Sequence, residues 1–206
     1  MKSTILALLL ATVSTLSNAT IVWDQGPATG TLNPTSWQNQ TAMQNFADSV
    51  RFTSTMSVNG INYFSRFDLD SQTGADDFHL KILSNSAGEP DAVLFADDIG
   101  FIASSFDATS GIHMYEFNFS AFSFLADTTY WVGLSGNGFE AAQLTVFTPQ
   151  DGQIAVFNGA TFVQNIDSIG DQVFQLTSTG AVPEPATLAL LGLGLVGLGF
   201  ARRRMS

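Results

Sequence analysis

Asp68-Leu-Asp70-Ser-Gln-Thr-Gly74-Ala-Asp76-Asp77 is the densest cluster of chemistry-bearing side chains in the sequence. Calcium takes six to eight oxygens, and closely spaced aspartates in a glycine-containing loop supply several of them. Asp68, Asp70, Asp76 and Asp77 are the candidate ligands. The spacing is not that of an EF-hand: counted from Asp68, the glycine falls at position seven and His79 stands where a bidentate glutamate belongs. The plainer reading of the same residues is an acidic turn between Phe67 and Phe78. Calcium is the one cofactor this loop suits, and no organic cofactor is expected.

Other chemistry is sparse. There is no cysteine, which excludes thiol catalysis and Cys-based metal sites. The two histidines, His79 and His113, lack the close helical spacing of a zinc motif. Gly133-Leu-Ser-Gly-Asn137 does not make the Gly-x-Ser-x-Gly turn of a serine hydrolase. No glycine-rich phosphate loop opens a helix. We therefore expect no enzymatic activity. The abundant acids leave one catalytic alternative, a secreted glycoside hydrolase using two carboxylates about 5–10 Å apart. A second alternative is a carbohydrate-binding module, which needs exposed aromatic faces. Trp37, in a stretch without clear patterning, and Trp131, opposite Tyr130 and Val132 on its strand, are the candidates for sugar stacking.

The elements that position these residues read as strands. Phe78, Leu80 and Ile82 alternate with His79 and Lys81; Tyr115, Phe117 and Phe119 alternate with Glu116 and Asn118; Tyr130, Val132 and Leu134 follow the same rule. Period-two alternation marks half-buried strands, and phenylalanine favours them. Ile154–Phe157, Asn158-Gly159 and Ala160–Val163 spell a hairpin with a two-residue type I′ turn. Asn59-Gly60, Gly88-Glu89-Pro90, Gly136-Asn137-Gly138 and Asp151-Gly152 read as further turns. Gly30 to Ala47 lacks alternation and reads as a loop, with one helical turn near Ala42–Phe46. The expected fold is all-β, an antiparallel β-sandwich, with jelly-roll connectivity as one variant.

The ends of the chain differ from this body. Lys2 precedes an apolar stretch, Ile5–Val13, too short to span a bilayer, and Ser17-Asn18-Ala19 places small residues where a signal peptidase reads. Residues 1–19 are read as a signal peptide, cleaved between Ala19 and Thr20. Residues 20–176 form the sandwich domain and 177–181 a polar linker. The body then carries seventeen acids against Arg51, Arg66 and Lys81, a net charge of −14. Such a surface repels nucleic acid, so no nucleic-acid partner is expected.

The last segment, 182–206, has three parts. Val182-Pro183-Glu184-Pro185 is stiff and extended, the backbone form that chain-cutting and chain-transferring enzymes bind. Residues 186–201 carry no charge until the closing arginines; as a helix they reach about 24 Å, against about 30 Å of bilayer hydrocarbon. Arg202, Arg203 and Arg204 form a stop signal that stays in the cytoplasm, their stems snorkelling to close the mismatch. With Lys2 also cytoplasmic, the body between lies outside.

Pro183-Glu184-Pro185, the Gly/Leu-rich run and the terminal arginines closely resemble the PEP-CTERM sorting signal. The resemblance is confined to the C-terminal tail. It implies export in a Gram-negative bacterium that makes exopolysaccharide. It also implies processing by exosortase, a membrane-embedded cysteine transpeptidase. The expected course is an inner-membrane-anchored precursor, then a cell-surface or matrix protein in contact with exopolysaccharide. The resemblance implies nothing about what the body does there.

Overall fold

The computed structural model describes residues 19–26, 32–38, 45–69, 77–137, 141–146, 154–157, 161–164 and 171–179. All of them lie in one compact unit, Ala19–Gly180. The second unit, Met1–Asn18 with Ala181–Ser206, is outside the described residues, and with it the expected signal peptide and C-terminal helix.

Every regular element described is a strand: β1 (Thr20–Asp24), β2 (Leu32–Gln38), β3 (Phe46–Arg51), β4 (Met56–Ser65), β5 (Phe78–Ser86), β6 (Glu89–Ile99), β7 (Phe101–Asp107), β8 (Ile112–Phe124), β9 (Thr129–Gly136), β10 (Ala141–Val146), β11 (Ile154–Phe157), β12 (Phe162–Gln164), β13 (Asp171–Gln172) and β14 (Phe174–Ser178). They form a five-stranded sheet, β1-β14-β4-β8-β7, a six-stranded sheet, β12-β11-β3-β9-β5-β6, and a three-stranded sheet, β13-β10-β2. All pairings are antiparallel. The all-β expectation holds for the described residues.

Alternation sets the packing. Phe78, Leu80 and Ile82 on β5, with Tyr130, Val132 and Leu134 on β9, point to the same side of the six-stranded sheet. They join Tyr63, Tyr115, Phe117 and Phe174 of the five-stranded sheet in one buried cluster. Rings meet edge to face across it, with Phe78 and Phe117 centroids 4.8 Å apart, the arrangement the aromatic quadrupole favours.

Several local expectations are corrected. Leu32–Gln38, expected as loop, is strand β2, pairing with β10. It is an edge strand, where Pro34 is tolerated and alternation is not enforced. Asn59-Gly60 is not a turn but lies inside β4. A Cβ at Gly60 would collide with Thr177 Oγ1 and lie 3.1 Å from the Phe117 carbonyl, so this glycine serves close strand approach. The hairpin β11–β12 is present, but Phe157 pairs with Phe162, leaving four residues between rather than two. The two-residue turn is instead Ala87-Gly88, both at positive φ (52° and 90°), closing Ser86 against Glu89; positive φ at both positions is what a type I′ turn requires. Asp151-Gly152, Gly138 and residues 42–44 lie outside the described residues.

Candidate functional site

Two regions of the described body gather polar chemistry: the face of the six-stranded sheet away from the main core, and the sheet edge formed by β1 on β14.

On the first, cross-strand pairing sets His79 of β5 between Ser135 of β9 and Asp98 of β6. His79 Nδ1 is 2.6 Å from Asp98 Oδ1. A carboxylate oxygen accepts hydrogen bonds, so this contact is the His79 Nδ1–H donating to Asp98. Asn137 Nδ2 reaches the same Asp98 oxygen at 3.5 Å. Ser, His and Asp thus stand in one row, and among the described residues no hydrogen bond joins His79 to Ser135. His79 is a pairing residue on the polar side of its strand, as its position in the alternation predicts.

Beside this row is a hollow of about 210 Å³, open solvent included, lined by Asn45, Phe46, Ala47, Lys81, Leu83, Gly133, Ser135 and Phe162. Gly133 is bare there because a Cβ would strike the Phe46 carbonyl. Burial lowers the Lys81 pKa below its usual value.

Trp131 borders the same face, and here the sequence expectation of an exposed platform is overturned. Trp131 does point away from the main core, opposite Tyr130 and Val132. It is nevertheless 0% exposed. It belongs to a second cluster with Ala47, Leu83 and Ala155, against which Phe162 packs. The edge strands β12 and β6 come into contact, so the sheet curls over this side. Trp131 Nε1 donates to Asn85 Oδ1 at 3.0 Å. A ring enclosed in this way has no face left for a sugar. Trp37 is placed in β2 by its backbone, paired with Ala142; its side chain lies outside what is described.

Of the candidate calcium ligands, Asp70 and Asp76 lie outside the described residues. Asp68 and Asp77 flank that gap. The Tyr115 hydroxyl accepts from Leu69 N–H at 2.7 Å and lies 3.5 Å from Asp68 Oδ1. Asn137 N–H donates to the Asp77 carbonyl at 2.6 Å. Among the described residues no group of three or more His, Asp or Glu side chains is arranged to hold a metal.

The second region is the β1–β14 edge. Thr20, on the far side of the expected signal-peptidase bond from Ala19, is the first residue of β1 and pairs with Ser178 at the end of β14. Thr179 follows. Its N–H donates to Asn59 Oδ1 at 2.8 Å, and Asn59 Nδ2 donates to Thr179 Oγ1. Sequence reading misses this pair, because Asn59-Gly60 carries the signature of a turn; only the register of β14 on β4 brings them together. Val182–Pro185 and Arg202–Arg204 lie outside the described residues. Among those described, no helix is long and apolar enough to cross a membrane.

No curated protein and no solved structure matches the chain. One family model does. It covers residues 181–204, and its description is the PEP-CTERM protein-sorting motif, so the C-terminal tail carries the sorting signal that its prolines, apolar run and arginines resemble.

Proposed function

We propose that the chain is an exported, non-enzymatic envelope or extracellular-matrix protein whose tail is read and processed by an exosortase-like membrane transpeptidase. The observation that carries this reading is the match of the tail to the sorting motif. In this reading the signal peptide leaves at Ala19–Thr20, the apolar run 186–201 holds the precursor in the inner membrane, and processing near Val182–Pro185 releases an antiparallel β-sandwich to the cell surface or matrix. A body held by a shared aromatic core, with all its pairing antiparallel, suits such a structural module. Of the two alternatives, the carbohydrate-binding module loses its Trp131 platform to burial. The glycoside hydrolase has no particular pair of carboxylates in its favour.

The test is the mass of the mature protein from a host with an active sorting enzyme. The expected product begins at Thr20 and ends upstream of Arg202. A product that runs through Ser206 overturns the processing. Hydrolysis of the host's own polysaccharide by the purified protein overturns the non-enzymatic assignment.

A further inference from the structure

The sorting motif begins at residue 181, two residues beyond Thr179. Thr179 is where the body still grips the chain. The β14–β4 ladder runs to Thr177 against Gly60. The paired hydrogen bonds between Asn59 and Thr179 carry that grip two residues further. Gly60 lets Thr177 close in, and β1 pairs on the other side of β14, with Thr20 against Ser178. The end of β14 is thus held from both neighbours.

From Thr179 to Pro183 is four residues, a reach of at most about 14 Å even when fully extended. A body of about 160 residues has a radius of gyration near 15 Å. The tether between the clamp and the segment to be read is therefore shorter than the body is wide. An enzyme working at the membrane surface has to take the segment while the folded body stands against it.

We propose that Asn59 is a positioning residue for tail processing: by clamping Thr179 it fixes where the folded body ends, and so limits the reach of the sorting segment and the rate at which a membrane enzyme processes it. This rests on the sorting reading above. It adds a control on that reaction, set by the body and absent from the tail.

The experiment is a pulse-chase of the full chain in a host with an active sorting enzyme, following precursor and product by mass. Inserting Gly-Ser-Gly-Ser between Gly180 and Ala181 leaves the fold untouched and is expected to speed processing at least three-fold. Asn59→Ala removes the two side-chain hydrogen bonds to Thr179 and is expected to speed it by a smaller factor. Asn59→Asp is expected to process at the parent rate. Its carboxylate still accepts from the Thr179 N–H and accepts from the threonine hydroxyl. A merely structural role for Asn59 would lower stability in Asn59→Ala without raising the rate, so melting of each full-length variant is measured alongside. Equal rates for the parent and the insertion variant overturn this proposal alone. Processing of neither form overturns the sorting reading, and this proposal with it.

Discussion

Tyr63 is buried to 0% exposure with its hydroxyl bonded to nothing among the described residues. Burial first, and the neighbouring Tyr115 second, hold its pKa well above the usual phenol value. The folded state therefore keeps the proton. That contribution to stability is fully present below the unfolded value near 10 and is lost as pH rises from there toward the higher folded value. Tyr63→Phe removes an unpaired buried group at almost no change in shape, which we expect to stabilise the fold by about 1 kcal/mol. It also flattens the decline in stability above pH 10. A melting temperature more than a few degrees below the parent contradicts this. Trp131 makes the opposite case, since its indole fills a closed cluster and its N–H is paired with Asn85. Trp131→Ala is expected to cost about 3–5 kcal/mol in urea unfolding. A loss under about 1 kcal/mol, as an exposed platform would give, contradicts the burial.

At the scale of elements, alternation locates β5, β8 and β9 and the side of each that meets the main core, because a pleated strand puts every second residue on one face. What it does not supply is the cover on the other face. Alternation assigns Trp131 to the correct side of β9, but the curl that brings β12 to β6 is a long-range event with no local signature. Turn dipeptides fail for a related reason. Asn59-Gly60 has turn chemistry, yet its glycine is needed for the approach of Thr177 across the β4–β14 ladder. Ala87-Gly88 makes the tight turn although alanine is an unusual residue at φ 52°. The tail motif is legible because its residues are contiguous in the chain. The Asn59–Thr179 clamp is not, since 120 positions separate its partners. The close approach at Gly60 is testable by a double-mutant cycle. Gly60→Ala alone is expected to cost about 1–3 kcal/mol by overpacking. Thr177→Ala removes the hydroxyl it strikes and is expected to recover about 1 kcal/mol or more in the double variant, the coupling of directly touching side chains. Additive losses would mean that the two sites do not meet.

For the whole molecule the governing quantity is charge. The segment 20–180, with seventeen acids and three bases, repels itself, and self-repulsion weakens a compact state. Arg51 and Asp127 are 3.5 Å apart with side chains 60% and 70% exposed, a pair of the kind that contributes at most a few tenths of a kcal/mol. Added salt therefore screens mainly repulsion, with a Debye length falling from about 30 Å at 0.01 M to about 8 Å at 0.15 M. The expected outcome is a melting temperature that rises by several degrees between about 0.01 M and 0.15 M sodium chloride at pH 7 and levels off as the screening length drops below the spacing of the carboxylates. Acid separates this from a specific effect. Asp107 accepts from the Ser110 hydroxyl at 2.7 Å and the Thr109 N–H at 2.9 Å, the first being the larger cause of its lowered pKa. Its stabilising share is present above the ordinary carboxylate value of 3.8 and is lost as pH falls through its lower folded value. Mild acidification toward pH 5 thus leaves the Asp107 turn intact. A melting temperature that is flat in salt at pH 7 would mean that the acidic surface is not what limits the stability of the body.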